Sequence, residues 1–351
     1  MKVKAVGKLN RNIGINIFYI DKPSPKANEV QIEVKAAAIC GSDLHFYHWD
    51  EYAENAAKRS TNFFPHILGH EISGVVTEIG ENVKEIKIGD RIALETHIPC
   101  NMCYYCKTGK MHICENVLLY GIHTNGAFTK YAIAPEICAV KIPNEITYIE
   151  AALLEPFGVA YHAIEKANIK PGDIVLITGC GPIGLFAQQL ARVAGASKVF
   201  STDIKEYRLE LSKKIANVDE AINVSKVDPI KKIKEVTKGK GVDVIIELSG
   251  SSIAIEQIFK MVAKGGKIIL VGTATSPVTI DTTQLIVYKE VEVYGITGRI
   301  MFNTWYKVMD IVANKLVNIE SVISHKLPLE EAEKGFELII QGNASKVILL
   351  P

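Results

Sequence analysis

Asp173-Ile174-Val175-Leu176-Ile177-Thr178-Gly179-Cys180-Gly181-Pro182-Ile183-Gly184 is the stretch that decides the fold of this chain. A buried-strand pattern runs into a G-x-G-x-x-G turn, and Leu185 to Ala194 follows as a helix with an apolar stripe. Glycines cluster in turns by chance, so the context carries the reading. Lys198-Val199-Phe200-Ser201-Thr202-Asp203 is the next strand, and Asp203 stands nineteen residues beyond Gly184. Strand, glycine turn, helix and acidic residue in that order form a dinucleotide-binding unit. Gly179, Gly181, Ile183 and Gly184 let the backbone approach a pyrophosphate at the positive end of the helix, and Asp203 can accept hydrogen bonds from an adenosine ribose. A carboxylate there repels a 2′-phosphate, so NAD is expected over NADP. Arg208 is expected to flank the adenine; the alternative is a solvated charge on its helix.

Outward from this unit the alternation continues, with a helix over Glu206 to Ala216 and strands over Val242 to Leu248 and Lys267 to Val271. That pattern predicts a doubly wound parallel sheet, an α/β architecture. Before residue 155 the character differs. Val30-Gln31-Ile32-Glu33-Val34 and Gly74 to Gly80 are short strand-like runs punctuated by Gly, Asp and Pro, as in a β-rich domain. A chain of 351 residues exceeds what one core usually serves. The expected division is a β-rich domain over 1–155 and 297–351, and a nucleotide-binding domain over 156–296.

Cys100-Asn101-Met102-Cys103-Tyr104-Tyr105-Cys106, closed by Cys114, places four thiols in one short loop. Such spacing suits a tetrahedral zinc at about 2.3 Å per Zn–S bond. A structural zinc lobe is therefore expected at about 95–116. Disulfides and an iron–sulfur cluster are the competing readings. Against the first, Met1 opens onto the charged, strand-like Lys2-Val3-Lys4-Ala5-Val6 with no apolar leader after it. Of the seven cysteines, Cys138 and Cys180 are left over as buried thiols.

A second ligand set combines Cys40, in Cys40-Gly41-Ser42-Asp43-Leu44-His45, with Gly69-His70-Glu71 and with Glu155 before Pro156. An open zinc site needs three protein ligands and a vacancy. Cys40, His70 and one of Glu71 or Glu155 supply it, and spacing does not choose between the two carboxylates. Composition excludes other classes: 48% hydrophobic residues, 23% charged and a net charge of +1 suggest neither nucleic-acid nor membrane-surface binding. The expectation is a cytoplasmic enzyme acting on a small molecule.

Taken together these residues resemble the zinc-dependent medium-chain dehydrogenases over essentially the whole chain. Cys40 to Tyr52, the Gly69-His70-Glu71 turn, Glu95-Thr96-His97-Ile98-Pro99-Cys100, Glu206 to Leu211 and Gly295 to Tyr306 are most similar to the threonine-oxidising branch. The resemblance implies a GroES-like catalytic domain, a Rossmann domain, two zinc ions per chain, NAD and a homotetramer. It also implies that Val271, Gly272, Thr273, Ile296 and Thr297 lie near the nicotinamide. One departure stands out: Val159 follows Glu155-Pro156-Phe157-Gly158 where that branch typically carries Asn. Polyol dehydrogenases of the sorbitol and butanediol type are similar in having an apolar stretch there.

The expected chemistry is oxidation of a secondary alcohol, L-threonine to 2-amino-3-oxobutanoate, with a polyol or diol as the alternative substrate. Zinc acidifies the hydroxyl, the nicotinamide accepts the hydride, and the proton leaves through Ser42 to His45. Ser42 has a competing role as a helix cap, and His45 as a packed helix residue. A non-catalytic zinc and nucleotide-binding protein is the third reading.

Overall fold

A computed structural model describes residues 1–60, 62–274 and 276–351. The chain divides into two units, Met1–Glu155 with Ile300–Pro351, and Pro156–Arg299. The chain crosses back at Ile300 rather than at Thr297. The first boundary falls inside the helix Tyr148–Ala167, where Pro156 takes an interior position.

The unit Pro156–Arg299 is built on a six-stranded sheet in which every pairing is parallel. Its order is Glu220–Asn223, Lys198–Asp203, Ile174–Thr178, Val242–Glu247, Val262–Leu270 and Glu292–Gly295. Read along the chain that order is 3-2-1-4-5-6, the doubly wound arrangement. Both faces of such a sheet are covered, which is why Val175, Leu176, Ile177, Ile245, Ile246, Ile268 and Ile269 form near-continuous apolar runs and are all buried. Each fully buried side chain of this kind contributes about 1.5–3 kcal/mol. The register sets Thr178 beside Thr202 and Glu247, so the segments after these strands emerge at one end of the sheet.

The other unit carries a seven-stranded sheet, whose path runs Ala139–Lys141, Arg91–Leu94, Glu71–Ile79, Glu29–Ala38, Lys346–Leu350 and Ile323–Pro328, with Tyr131–Pro135 also paired to Glu29–Ala38. A three-stranded sheet of Asn16–Asp21, Lys2–Lys8 and His66–Ile67 accompanies it. Val30, Ile32, Val34, Ile72, Val76, Leu94, Phe128, Phe336 and Val347 are among the residues of its buried core. The central strand Glu29–Ala38 thus receives partners from both the beginning and the far end of the chain. That meeting builds the site.

Candidate catalytic and cofactor sites

Cys40 follows the strand Glu29–Ala38, Glu71 opens the strand Glu71–Ile79, and the antiparallel register sets Ala38 opposite Glu71. Gly69 introduces His70 at φ 94, and a Cβ on it would meet the Phe128 ring at 2.2 Å, so only glycine fits this turn. Donor atoms of Cys40, His70 and Glu71 consequently lie within 4.8 Å of one another. A thiolate, an imidazole and a carboxylate make a mixed S, N and O set that suits zinc. Glu155 does not belong to that close group. Thr96 Oγ1 donates to its Oε1 at 2.8 Å, and its charge still acts on His70 and Glu71.

Buried groups orient these donors. Asp43 Oδ2 accepts the N–H of Cys40 at 2.9 Å, and its Oδ1 lies 3.7 Å from His70 Nδ1. That separation is too long for a hydrogen bond, so the Asp43 carboxylate acts on the Nδ1 side of the imidazole through its charge, with Nε2 on the other side of the ring. Burial disfavours the charged form of His70, but the Cys40 and Asp43 charges outweigh it and push the imidazole up to about 10. Glu71 receives two hydrogen bonds from the Lys346 ammonium, at 2.8 and 2.7 Å.

Ser42 Oγ lies 3.4 Å from His70 Nε2. The helix Gly41–His48 has Cys40 at its N-cap, so Ser42 sits in the first turn and is not the cap. His45 is on the same helix, half-exposed, with Nδ1 bonded to Asp50. His66 stacks on Phe63 at 4.0 Å and on Phe46 at 5.6 Å between ring centroids, and His97 Nδ1 is 2.6 Å from Glu95 Oε1, whose other oxygen accepts the Trp305 indole N–H at 2.6 Å. These two histidines are built into packing and a buried network.

The cysteine loop closes on itself. Cys100, Cys103, Cys106 and Cys114 are all free thiols with sulfurs mutually within 4.8 Å, and the strand pair His97–Ile98 and Leu118–Leu119 frames them. Tetrahedral thiolates at about 2.3 Å from zinc stand roughly 3.8 Å apart. Cys103 Sγ is 3.5 Å from Cys106 and 3.8 Å from Cys114. Backbone N–H groups of Cys100, Cys103 and Asn116 point at these sulfurs, and those of Met102 and Cys103 draw the Cys100 thiol down to about 6. The geometry fits a zinc ion. Cys138 and Cys180 are buried, and burial pushes the Cys180 thiol up to about 11.

In the other unit a cavity of about 410 Å³ is lined by Gly179, Gly181, Asp203, Arg208, Ser249 and Gln257. A Cβ on Gly184 would lie 2.0 Å from the Gly179 carbonyl oxygen, so this glycine permits the helix to pack on the strand. A Cβ on Gly181 would meet no atom of the described residues within 4 Å, leaving its backbone open to an approaching phosphate. Ile183 lies in the first turn of the helix Pro182–Val193. Asp203 Oδ2 accepts the Cys180 N–H at 2.8 Å and stands 3.9 Å from Arg208 Nη1. Arg208 is therefore beside the acidic residue. Val271, Gly272 and Thr273 follow the strand Val262–Leu270, and Ile296 and Thr297 follow Glu292–Gly295, at the same end of the sheet as Gly179. The residues present fit a dinucleotide.

Asp43, Asp50 and Lys346 take part in these arrangements and were not singled out from the sequence. Asp50, before a helix-forming Glu51-Tyr52-Ala53-Glu54, carried an N-cap signal. Lys346 carried a weaker one, as a lone cation opening the apolar run Val347-Ile348-Leu349-Leu350.

A glycine-bearing parallel sheet and a β-rich unit with two zinc-suited donor clusters define a metal-dependent dehydrogenase. Residues 26–144 match the alcohol dehydrogenase GroES-like domain and residues 182–314 the zinc-binding dehydrogenase domain. The L-threonine 3-dehydrogenase of Bacillus velezensis is 41% identical over 100% of this chain and 99% of its own length. Among solved structures, a short chain alcohol dehydrogenase of Escherichia coli CFT073 complexed with NADH has a TM-score of 0.88 at 29% identity, covering 100% of this chain and 99% of the other. The 2R,3R-butanediol dehydrogenase of Bacillus subtilis has a TM-score of 0.87 at 27% identity, covering 99% of each chain. The chain belongs to the zinc-binding dehydrogenases of the alcohol dehydrogenase family. It is a zinc-dependent oxidoreductase using a nicotinamide cofactor.

Proposed function

We propose that this enzyme oxidises the secondary hydroxyl of L-threonine with NAD, yielding 2-amino-3-oxobutanoate and NADH. The observation that carries the reading is the 41% identity to an L-threonine 3-dehydrogenase across the full length of both chains. Cys40, His70 and a carboxylate, Glu71 or Glu155, hold the catalytic zinc, and Cys100, Cys103, Cys106 and Cys114 hold the structural one. Gly179, Gly181, Ile183, Gly184, Asp203 and Arg208 bind the adenosine and pyrophosphate portion of NAD, with Val271, Gly272, Thr273, Ile296 and Thr297 toward the nicotinamide. Bound zinc acidifies a hydroxyl, and bound NAD accepts a hydride.

The chain's own residues then manage the proton. Ser42, 3.4 Å from His70 Nε2, is placed to take it near the metal donors, and half-exposed His45 delivers it to water. Glu155 supplies a negative charge for the substrate ammonium. The protein is assigned to the cytoplasm as a homotetramer; among the described residues no helix is long and apolar enough to cross a membrane. Sedimentation equilibrium tests the assembly.

A neutral diol is the second reading, favoured by Val159, an apolar residue within the helix Tyr148–Ala167. NADH formation with L-threonine, L-serine, sorbitol and 2,3-butanediol separates them. Preference for threonine supports the proposal, and preference for the uncharged alcohols replaces it. A chain without turnover on any alcohol and with one zinc would be a binding protein.

A further inference from the structure

Lys346 occupies a place where a lysine is costly. It opens the strand Lys346–Leu350, and its side chain is 4% exposed against 0% for its partner Glu71. A buried ammonium is tolerated only when its donors are satisfied. All three are: Nζ reaches Glu71 Oε1 at 2.8 Å, Glu71 Oε2 at 2.7 Å and the Ile39 carbonyl at 3.1 Å. Both oxygens of the carboxylate in the close donor group are thus already engaged by a cation of the protein's own. The Ile39 contact lies next to Cys40, so the same ammonium braces the two strands that carry a thiolate and a carboxylate of the centre.

We propose that Lys346 is a positioning residue that competes with the catalytic metal for Glu71. In the metal-free centre it neutralises a carboxylate that would otherwise be buried and unpaired. In the loaded centre it restrains Glu71, so that a coordination position stays open to the substrate hydroxyl. The inference rests on the assignment of Cys40, His70 and Glu71 to one metal centre. It follows from two physical effects. Removing the ammonium leaves the centre one unit more negative and more attractive to a divalent ion. It also frees the carboxylate to turn fully onto that ion.

The test compares zinc-loaded wild type, Lys346→Met and the double variant Glu71→Gln/Lys346→Met. Zinc release to a colorimetric chelator is followed, with the cysteine-lobe zinc as internal reference, together with the visible absorption of cobalt-substituted protein. Expected is roughly tenfold slower release of the catalytic zinc from Lys346→Met, similar in size and opposite in sign to the loss of affinity that follows when a group supporting a metal ligand is removed. Its cobalt spectrum should change in intensity, and the double variant should release zinc at the wild-type rate or faster. Release from Lys346→Met at or above the wild-type rate, with an unchanged cobalt spectrum, overturns the proposal. Should Lys346→Met fail to fold without metal while the double variant folds, the neutralising role is supported. If both fail, Lys346 acts in packing alone and the proposal is overturned. Zinc content separates the underlying assignment: two ions in wild type and one in Cys40→Ser uphold the centre, whereas one ion in both removes it and the proposal with it.

Discussion

His45 Nδ1 lies 2.5 Å from Asp50 Oδ2, while Oδ1 of the same carboxylate accepts the backbone N–H groups of Tyr52 and Ala53. Asp50 therefore serves the imidazole and the next helix with separate oxygens. His45→Ala is expected to slow turnover by roughly a hundredfold, the lower end for a lost proton-transfer group, with both zinc ions retained. Asp50→Asn keeps an oxygen for the cap and should lose less activity, with little change in stability. Asp50→Ala loses the cap as well and should cost about 1 kcal/mol. Steady-state rates, metal content and thermal melts on the three variants check this; an unchanged rate in His45→Ala would remove it from the relay.

Burial among aromatic rings lowers His66 from 6.5 to about 4. Its folded form stays neutral where the unfolded chain already binds a proton, so its contribution is fully present above pH 6.5 and falls as pH drops toward about 4. The difference is worth about 3 kcal/mol. Denaturant midpoints of wild type should fall across that window more steeply than those of a folded His66→Gln variant. Parallel curves would show that His66 does not titrate there.

The cysteine lobe has little apolar core of its own, so the zinc proposed there would supply the energy that orders it. Cys106→Ser is expected to contain one zinc in place of two and to melt at lower temperature. Limited proteolysis should then cut between His97 and Leu119, a segment protected in wild type. Retention of two ions would mean that Cys106 is not a ligand.

Asp203 is the only acidic group lining the nucleotide cavity among the described residues. Asp203→Ala is expected to remove the hydrogen bonds proposed to a ribose and leaves Arg208 without its acidic neighbour. A lost charged hydrogen bond of about 2 kcal/mol corresponds to roughly thirtyfold in KM for NAD. The KM for NADP should fall in the same variant. Equal loss with both cofactors would assign Asp203 to bracing the Cys180 N–H alone.

How much was legible in the sequence follows from the range of each interaction. The cysteine run and the glycine turn were legible because their ligands and their backbone demands lie within a few residues of one another. Glu71 and Lys346 stand 275 residues apart, and Glu95 and Trp305 stand 210 apart, so no periodicity connects them. The strand Val262–Leu270 begins before the expected Lys267 because Gly265 and Gly266 interrupt its apolar pattern. The helix Tyr148–Ala167 runs through Pro156, with Leu153, Leu154 and Phe157 fully buried. There tertiary packing outweighs the loss of one helical hydrogen bond. Whether Glu71 or Glu155 sits nearer the thiolate depended on strand register, which sets Ala38 against Glu71.

The two metal centres also differ in when they can come into being. The four-thiol lobe closes within a short loop, so it can capture an ion while the rest of the chain is still disordered. The other centre needs the strand pair Glu29–Ala38 and Glu71–Ile79 in register and the strand Lys346–Leu350 laid beside them. Contacts of such long range form late, after most of the entropy of ordering has been spent. Zinc uptake is therefore expected to be sequential by topology: a chain arrested before its final strand docks would carry one ion and no chemistry.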